Sequence, residues 1–228
     1  MGNLNTVANM LEISMVQSDG TYDQMKNVVK AATDYGCPCI YVLESFFDAA
    51  KQEMETKETR TNIGCGVGFP SGGESLKVKL FQMEHLLDRG CDEIDVVINL
   101  GKFLSGEYDY VEKELNAIMS AARSKPVKAI IEVTILSKSQ IEDISKLCMA
   151  CCIDYIKTGT GWMNSPTTID HVEIIKKAIN GQIKIKASGG IRNLSTIKAM
   201  SDLGVSRFGV NYNSAMSILD ECKLLDNN

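Results

Sequence analysis

Eight short runs rich in β-branched and apolar residues alternate with longer stretches of helical spacing, and this rhythm constrains the fold more than any other feature of the chain. The runs lie at 11–14, 39–42, 62–67, 93–98, 127–133, 154–157, 183–187 and 206–210. Between them, Leu76, Leu80, Met83 and Leu87 form an apolar stripe at helical spacing. Val111, Leu115, Ile118 and Ala122 do the same, as do Ile141, Ile144, Cys148 and Cys151. Gly90 follows the first stripe, where a left-handed helix cap is expected. Such alternation folds either as a closed barrel or as an open doubly wound sheet. A dinucleotide-type open sheet needs a Gly-rich turn directly after an early strand. The nearest candidate, Gly64-Cys65-Gly66-Val67-Gly68, has the wrong spacing. The sequence therefore predicts a single (β/α)8 TIM barrel. No Pro-rich linker, low-complexity tract or charge block marks a boundary, so one domain over residues 1–228 is expected. In this fold, chemistry sits where the strands end.

Composition removes several classes. Net charge is −5 with no cluster of Lys or Arg, so no nucleic-acid surface is expected. No apolar run approaches the roughly 20 residues of a membrane helix. Residues 1–8 lack the features of a secretory signal, and a cytoplasmic location is expected. The eight cysteines are Cys37, Cys39, Cys65, Cys91, Cys148, Cys151, Cys152 and Cys222. Most lie in apolar runs and read as reduced, buried thiols rather than a disulfide framework. Their clusters lack zinc-knuckle spacing, and only His85 and His171 could add ligands, so no metal is expected. His85 reads as a surface or interface residue and His171 as structural, which leaves no support for a His-based triad.

Three ionisable residues stand where a barrel strand should be apolar: Asp95, Lys157 and Lys186. Strand alternation puts Asp95 on the face of Val97 and Asn99, and Lys186 on the face opposite Ile185. Buried charge is costly unless paired, so the three are expected to meet at the barrel mouth. Desolvation and a second cation both lower a lysine pKa, and the neutral amine can attack a carbonyl to form a Schiff base. A structural Lys–Asp–Lys network closing the barrel fits the same residues. Lys184 shares the face of Lys186 but lies nearer the non-catalytic end. Gly159, Gly161, Gly189 and Gly190 follow the two lysine-bearing runs. Glycine there lets backbone N–H groups approach a phosphate or carboxylate, or simply makes the turn.

The motifs around these residues resemble the deoxyribose-phosphate aldolase family, class I aldolases of (β/α)8 fold. The matching stretches are Gly68-Phe69-Pro70, Asp92-Glu93-Ile94-Asp95-Val96-Val97-Ile98-Asn99 and Ile130-Ile131-Glu132. They continue with Asp154-Tyr155-Ile156-Lys157-Thr158-Gly159-Thr160-Gly161, Lys186-Ala187-Ser188-Gly189-Gly190-Ile191-Arg192 and Arg207-Phe208-Gly209. Order and spacing agree over residues 61–209, and more loosely back to residue 11. The resemblance implies that Lys157 forms the Schiff base, that Lys186 perturbs it and shares in proton transfer, and that Asp95 belongs to that relay. It places substrate phosphate at Gly161, Gly189 and Gly190, with Asn211, Ser14 and Thr160 completing the binding set. The implied reaction is reversible cleavage of 2-deoxy-D-ribose 5-phosphate to acetaldehyde and D-glyceraldehyde 3-phosphate, an aldehyde-lyase reaction without metal or organic cofactor. The partner implied is a small sugar phosphate or aldehyde, and a homodimer is the assembly the family suggests.

The substrate pocket departs from the family pattern. The early Ile-Asp-His-Thr becomes Leu11-Glu12-Ile13-Ser14, keeping the acid but lengthening it. The second strand reads Ile40-Tyr41-Val42-Leu43-Glu44, which is expected to bring a bulky Tyr and a carboxylate towards the mouth. Trp162 follows Gly161, and the last strand gives Gly209-Val210-Asn211-Tyr212-Asn213 where the family has hydroxyls. Asn211 could still donate from its amide. Tyr41, Trp162, Asn211 and Tyr212 thus leave two alternatives open: the same chemistry on a different sugar or aldehyde, or a catalytically weak barrel that binds a ligand.

Overall fold

Eight parallel strands close on themselves in sequence order, each hydrogen-bonded to its neighbours in the chain and the last to the first. The computed structural model describes residues 3–226. The strands are β1 (Leu11–Met15), β2 (Cys39–Val42), β3 (Asn62–Val67), β4 (Glu93–Val97), β5 (Val127–Ile130), β6 (Tyr155–Lys157), β7 (Lys184–Ser188) and β8 (Val205–Asn211). The helices are α1 (Leu4–Ala8), α2 (Tyr22–Tyr35), α3 (Phe47–Glu55), α4 (Leu76–Asp88), α5 (Leu100–Leu104), α6 (Tyr108–Ala121), α7 (Lys138–Ala150), α8 (Ile169–Ile179), α9 (Leu194–Asp202) and α10 (Tyr212–Asp226). The predicted TIM barrel is the observed fold. No helix of the described residues is long and apolar enough to cross a membrane.

Local chemistry explains the helix ends. Thr21 with Gln24, Ser137 with Gln140 and Thr168 with His171 form reciprocal capping boxes that satisfy otherwise orphaned backbone donors. Gly90 follows α4 with φ +85°, the left-handed conformation anticipated for it. The stripes on α6 and α7 are buried as expected. On α4 the buried stripe is instead Lys79, Met83, Leu86 and Leu87, with Leu76 and Leu80 only partly covered. The helix is rotated because Lys79 is drawn inward: its Nζ donates to Val97 O (2.8 Å) and to Glu114 Oε1 (2.9 Å) on α6. Glu114 in turn accepts from Asn99 N at 2.9 Å, so this buried pair ties down the exit of β4.

The run at 127–133 is not one strand. The regular strand ends at Ile130, although Ile131 N and Val133 N still donate to Lys157 O (3.0 Å) and Thr158 O (2.8 Å), and Glu132 adopts φ 51° before a short 3-10 turn over Val133–Ile135. That turn swings the Glu132 carboxylate across to the β6 loop, where Thr160 N and Oγ1 both donate to it, at 3.0 and 2.6 Å.

Alternation along each strand separates two environments. One set of positions, including Ile13, Ile40, Ile94, Val96, Ala129, Ile156, Ala187 and Phe208, is fully buried and belongs to the continuous apolar core. Burial of each such side chain stabilises the fold by about 1.5–3 kcal/mol where the residue is large. The alternate positions, among them Glu12, Tyr41, Glu93, Asp95, Lys128, Lys157 and Lys186, meet one another across the barrel interior. Seven of the eight cysteines are buried, and Cys152 is exposed.

Candidate active site

Asp95 Oδ2 accepts hydrogen bonds from both Lys157 Nζ (2.7 Å) and Lys186 Nζ (2.8 Å). The three ionisable residues singled out in the sequence are thus brought together, each at most 8% exposed. Strands β6 and β7 are neighbours with Lys157 opposite Lys186 in register, which sets the two amines side by side, while β4 presents Asp95 from across the barrel. Lys184, at the start of β7, is exposed.

Beneath this triad lies a larger ionic layer. Lys186 also pairs with Glu12, and its ammonium sits 3.7 Å from the centroid of the Tyr41 ring. Lys128 Nζ donates to Tyr41 Oη (2.6 Å) and to Glu93, and lies 3.7 Å from Glu12 and 3.8 Å from Asp95. Tyr41 lines the cavity that opens above the triad, as the sequence suggested, but at depth rather than at its rim. It is 3% exposed and lies deep in the interior, because Gly64 on β3 leaves its ring space that a Cβ would enter to 2.5 Å.

The layer fixes protonation. Burial pushes the Lys157 amine down to about 8; Asp95 opposes this, and the Lys186 cation adds to it. Burial alone would raise the Asp95 carboxyl, but Lys157, Lys186 and Lys128 outweigh it and hold the group well below the usual carboxylate range. For Lys128, burial is overcome by Glu12, Asp95 and Glu93, and the ammonium is held more firmly than in water. Lys157 is thus a buried lysine whose proton is loosened.

Above the triad, a cavity of about 270 Å³ opens at the C-terminal ends of the strands. Gly161, Gly189 and Gly190 line it with φ of +80°, +89° and +79°. Glycine adopts these left-handed conformations freely, and they bring the backbone of both loops to the cavity wall. Ser14, Thr160 and Asn211 also line the cavity, yet their side chains are partly committed elsewhere. Ser14 Oγ donates to Val210 O (3.1 Å), and Thr160 Oγ1 donates to Glu132. Asn211 Oδ1 accepts from Ser214 N at 2.9 Å, capping α10 and leaving only its amide nitrogen as a donor. Arg192 is the cation at this rim, and it is exposed.

The remaining departures are placed as follows. Trp162 crosses from the β6 loop to the end of β1, with Nε1 donating to Val16 O (3.0 Å) and its ring edge-on to Phe69. Glu44 reaches the cavity wall, where Gln82 Nε2 donates to it at 3.0 Å while Gln82 Oε1 accepts from Gly68 N at 2.9 Å. Tyr212 does not face this cavity; it lines a neighbouring one between the β1–α2 loop and α10. His85 is exposed and stacked on Phe81, and His171 serves the α8 cap. Among the described residues, no group of His, Cys, Asp and Glu could hold a metal ion.

Sequence reasoning left out Lys128 and Glu93, and treated Glu12 only as a changed motif residue. The signal that marks Asp95 is present for Lys128 and Glu12, since a lone charge interrupts Val127-Lys128-Ala129-Ile130 and Leu11-Glu12-Ile13 in the same way; Glu93, next to Asp92 at the start of its strand, carries no such signal.

Fold and site together define a TIM barrel equipped for amine chemistry. The chain belongs to the DeoC/LacD family of aldolases, whose family model matches residues 6–208. It is 34% identical over 217 residues to the deoxyribose-phosphate aldolase of Klebsiella pneumoniae, covering 94% of this chain and 86% of that one. It is 32% identical over 218 residues to that of Coprothermobacter proteolyticus, covering 96% and 98%. Among solved structures, an aldolase designated QR15 superimposes with a TM-score of 0.88 at 29% identity, covering 97% and 96% of the two chains. The deoxyribose phosphate aldolase from Aeropyrum pernix, at 24% identity and TM-score 0.85 over 99% and 94%, speaks for the fold alone.

Proposed function

We propose that the protein is a class I aldolase that reversibly cleaves 2-deoxy-D-ribose 5-phosphate through a Schiff base on Lys157. The observation that carries this reading is the shared Asp95 oxygen, which holds a readily neutral lysine beside a second lysine under an open cavity. The Lys157 amine adds to the C1 aldehyde of the open-chain sugar, and loss of water leaves an iminium. Removal of the C3 hydroxyl proton breaks the C2–C3 bond, its electron pair flows into the iminium, and glyceraldehyde 3-phosphate departs. The resulting enamine takes a proton at C2, and water then releases acetaldehyde and restores the amine. Asp95 and Lys186 are the groups placed to move these protons. The relatives being deoxyribose-phosphate aldolases supports the same substrate.

A second reading keeps the chemistry and changes the acceptor. It is favoured by the Asn211 cap, which occupies a helix donor that an anion would otherwise use, and by Glu44 on the cavity wall. Relative kcat/KM on 2-deoxyribose 5-phosphate and on unphosphorylated 2-deoxyribose separates the two readings.

The test of the shared chemistry is borohydride trapping with acetaldehyde followed by peptide mass mapping. An ethyl adduct on Lys157, absent from Lys157→Ala, is the expected result. Absence of any adduct on the wild-type protein, with acetaldehyde and with several small ketones, would leave a ligand-binding barrel.

A further inference from the structure

The ionic layer does not end beneath Lys186. Glu12 is fully buried, and neither of its oxygens makes a well-formed hydrogen bond; it is held by ion pairs alone. These come from Lys186 on β7, Lys128 on β5 (3.7 Å) and Arg207 on β8, whose Nε lies 3.4 Å away. Arg207 then runs outward, with its Nη1 donating to Asn9 O at 2.8 Å, just before β1. Its side chain is 26% exposed, at the end of the barrel opposite the cavity. A continuous series of opposite charges therefore links Arg207, Glu12, Lys186, Asp95 and Lys157 through the barrel.

The backbone is shaped to make this contact. Ile185 pairs with Val205, but Lys186 pairs with Arg207, so Ser206 is an extra residue bulged out of the β7–β8 ladder. A bulge re-aims the side chains that follow it. Without it, Lys186 would stand beside Ser206 and the arginine would be out of step with the interior face.

We propose that Arg207 is a positioning residue for the amine chemistry: from the far end of the barrel it holds Glu12 and sets the charge that Lys186 and Lys157 experience. The inference rests on the Schiff-base reading above. Around Glu12 stand Cys39 and Tyr41 from β2, Glu93 and Asp95 from β4, Lys128 from β5, Lys157 from β6, Lys186 from β7 and Arg207 from β8. Removing the Arg207 charge leaves more of the Glu12 charge uncompensated. A negative field favours the protonated form of Lys157, so its titration moves to higher pH.

The experiment measures the rate of reductive trapping of acetaldehyde on Lys157 against pH. For Arg207→Met the midpoint is expected to rise by roughly 0.5–1 pH unit, the scale of one charge acting through an effective dielectric of about 20. Arg207→Gln, which keeps an amide donor for Asn9, gives the same shift, and Arg207→Lys restores the wild-type midpoint. In a Glu12→Gln background, Arg207→Met produces a smaller shift, because only its direct Coulomb effect on Lys157 remains and the part carried by Glu12 is gone. A wild-type midpoint in both neutral variants, each folded by thermal melting, overturns the inference. A full shift persisting in the Glu12→Gln background overturns it too. Failure of the wild-type protein to trap any carbonyl compound sinks the Schiff-base reading itself.

Discussion

Lys157 and Lys186 are hydrogen-bonded to one and the same oxygen, Oδ2 of Asp95, at 2.7 and 2.8 Å. One carboxylate oxygen cannot neutralise two ammonium groups, and Lys157, which burial also penalises, is the one whose proton is loosened. The consequences are measurable.

Activity should follow the deprotonation of Lys157. Below about 8 the amine is increasingly protonated, so kcat/KM is expected to fall about tenfold per pH unit on the acid side. Lys186→Met removes the neighbouring cation and leaves Asp95 to Lys157 and Lys128. Both changes raise the Lys157 pKa, so the acid limb moves to higher pH. A pH–rate profile that stays flat over about two pH units below that value contradicts the assignment.

Lys128 is the keystone of the lower layer. Lys128→Met strips Glu93 of its ammonium partner and leaves the Tyr41 hydroxyl without its donor. Breaking a buried pair from one side costs about 3–5 kcal/mol. Urea unfolding should show a loss of this order, and a change under about 1 kcal/mol would mean the layer is more hydrated than its burial indicates.

Gly64 is predicted to tolerate no side chain. A Cβ there would stand 2.5 Å from Tyr41 Cε1 and Cζ, and the ring has Lys186 on its face. Gly64→Ala is expected to cost about 1–3 kcal/mol through overpacking and to lower kcat by displacing Lys186. Thermal melts beside steady-state rates test this; an unaltered Tm and kcat would show that the ring has room to move.

Asn211 distinguishes the two acceptor readings. Asn211→Asp keeps the cap on α10 and adds a negative charge at the cavity rim. Stability should change by only a few tenths of a kcal/mol. For a phosphorylated substrate KM should rise several-fold with kcat little changed, whereas an uncharged acceptor should be indifferent. Equal effects on both would place the acceptor tail away from this residue.

The legible part of the site was the part where charge contradicts its surroundings. Asp95, Lys157 and Lys186 each break an otherwise apolar strand, and the chain has to bring such groups together. What sequence could not supply was depth. Tyr41 reads as a residue near the mouth; it does line the cavity, but the space left by Gly64, on the next strand, lets its ring lie at depth. Nor does sequence say whether Asn211 serves a ligand or its own helix, because the two uses need the same residue type. The run at 127–133 reads as one strand because nothing within it announces the left-handed turn at Glu132, whose carboxylate is taken up by Thr160 of the next loop. The α4 stripe read as Leu76, Leu80, Met83 and Leu87 turns for a related reason: nothing near Lys79 in sequence announces Glu114, 35 residues away, whose counter-charge lets the lysine be buried.

The ionic layer also divides the chain unevenly. Its three carboxylates, Glu12, Glu93 and Asp95, all come from β1 and β4, and its three lysines, Lys128, Lys157 and Lys186, from β5, β6 and β7. Arg207 adds a fourth cation on the same side of the division. A half-barrel cut between α6 and β5 would therefore hold only one sign of the layer's charges, repelling one another and without the counter-ions that close around them. Each half is an unfinished electrolyte, and the two can complete each other but not a second copy of themselves.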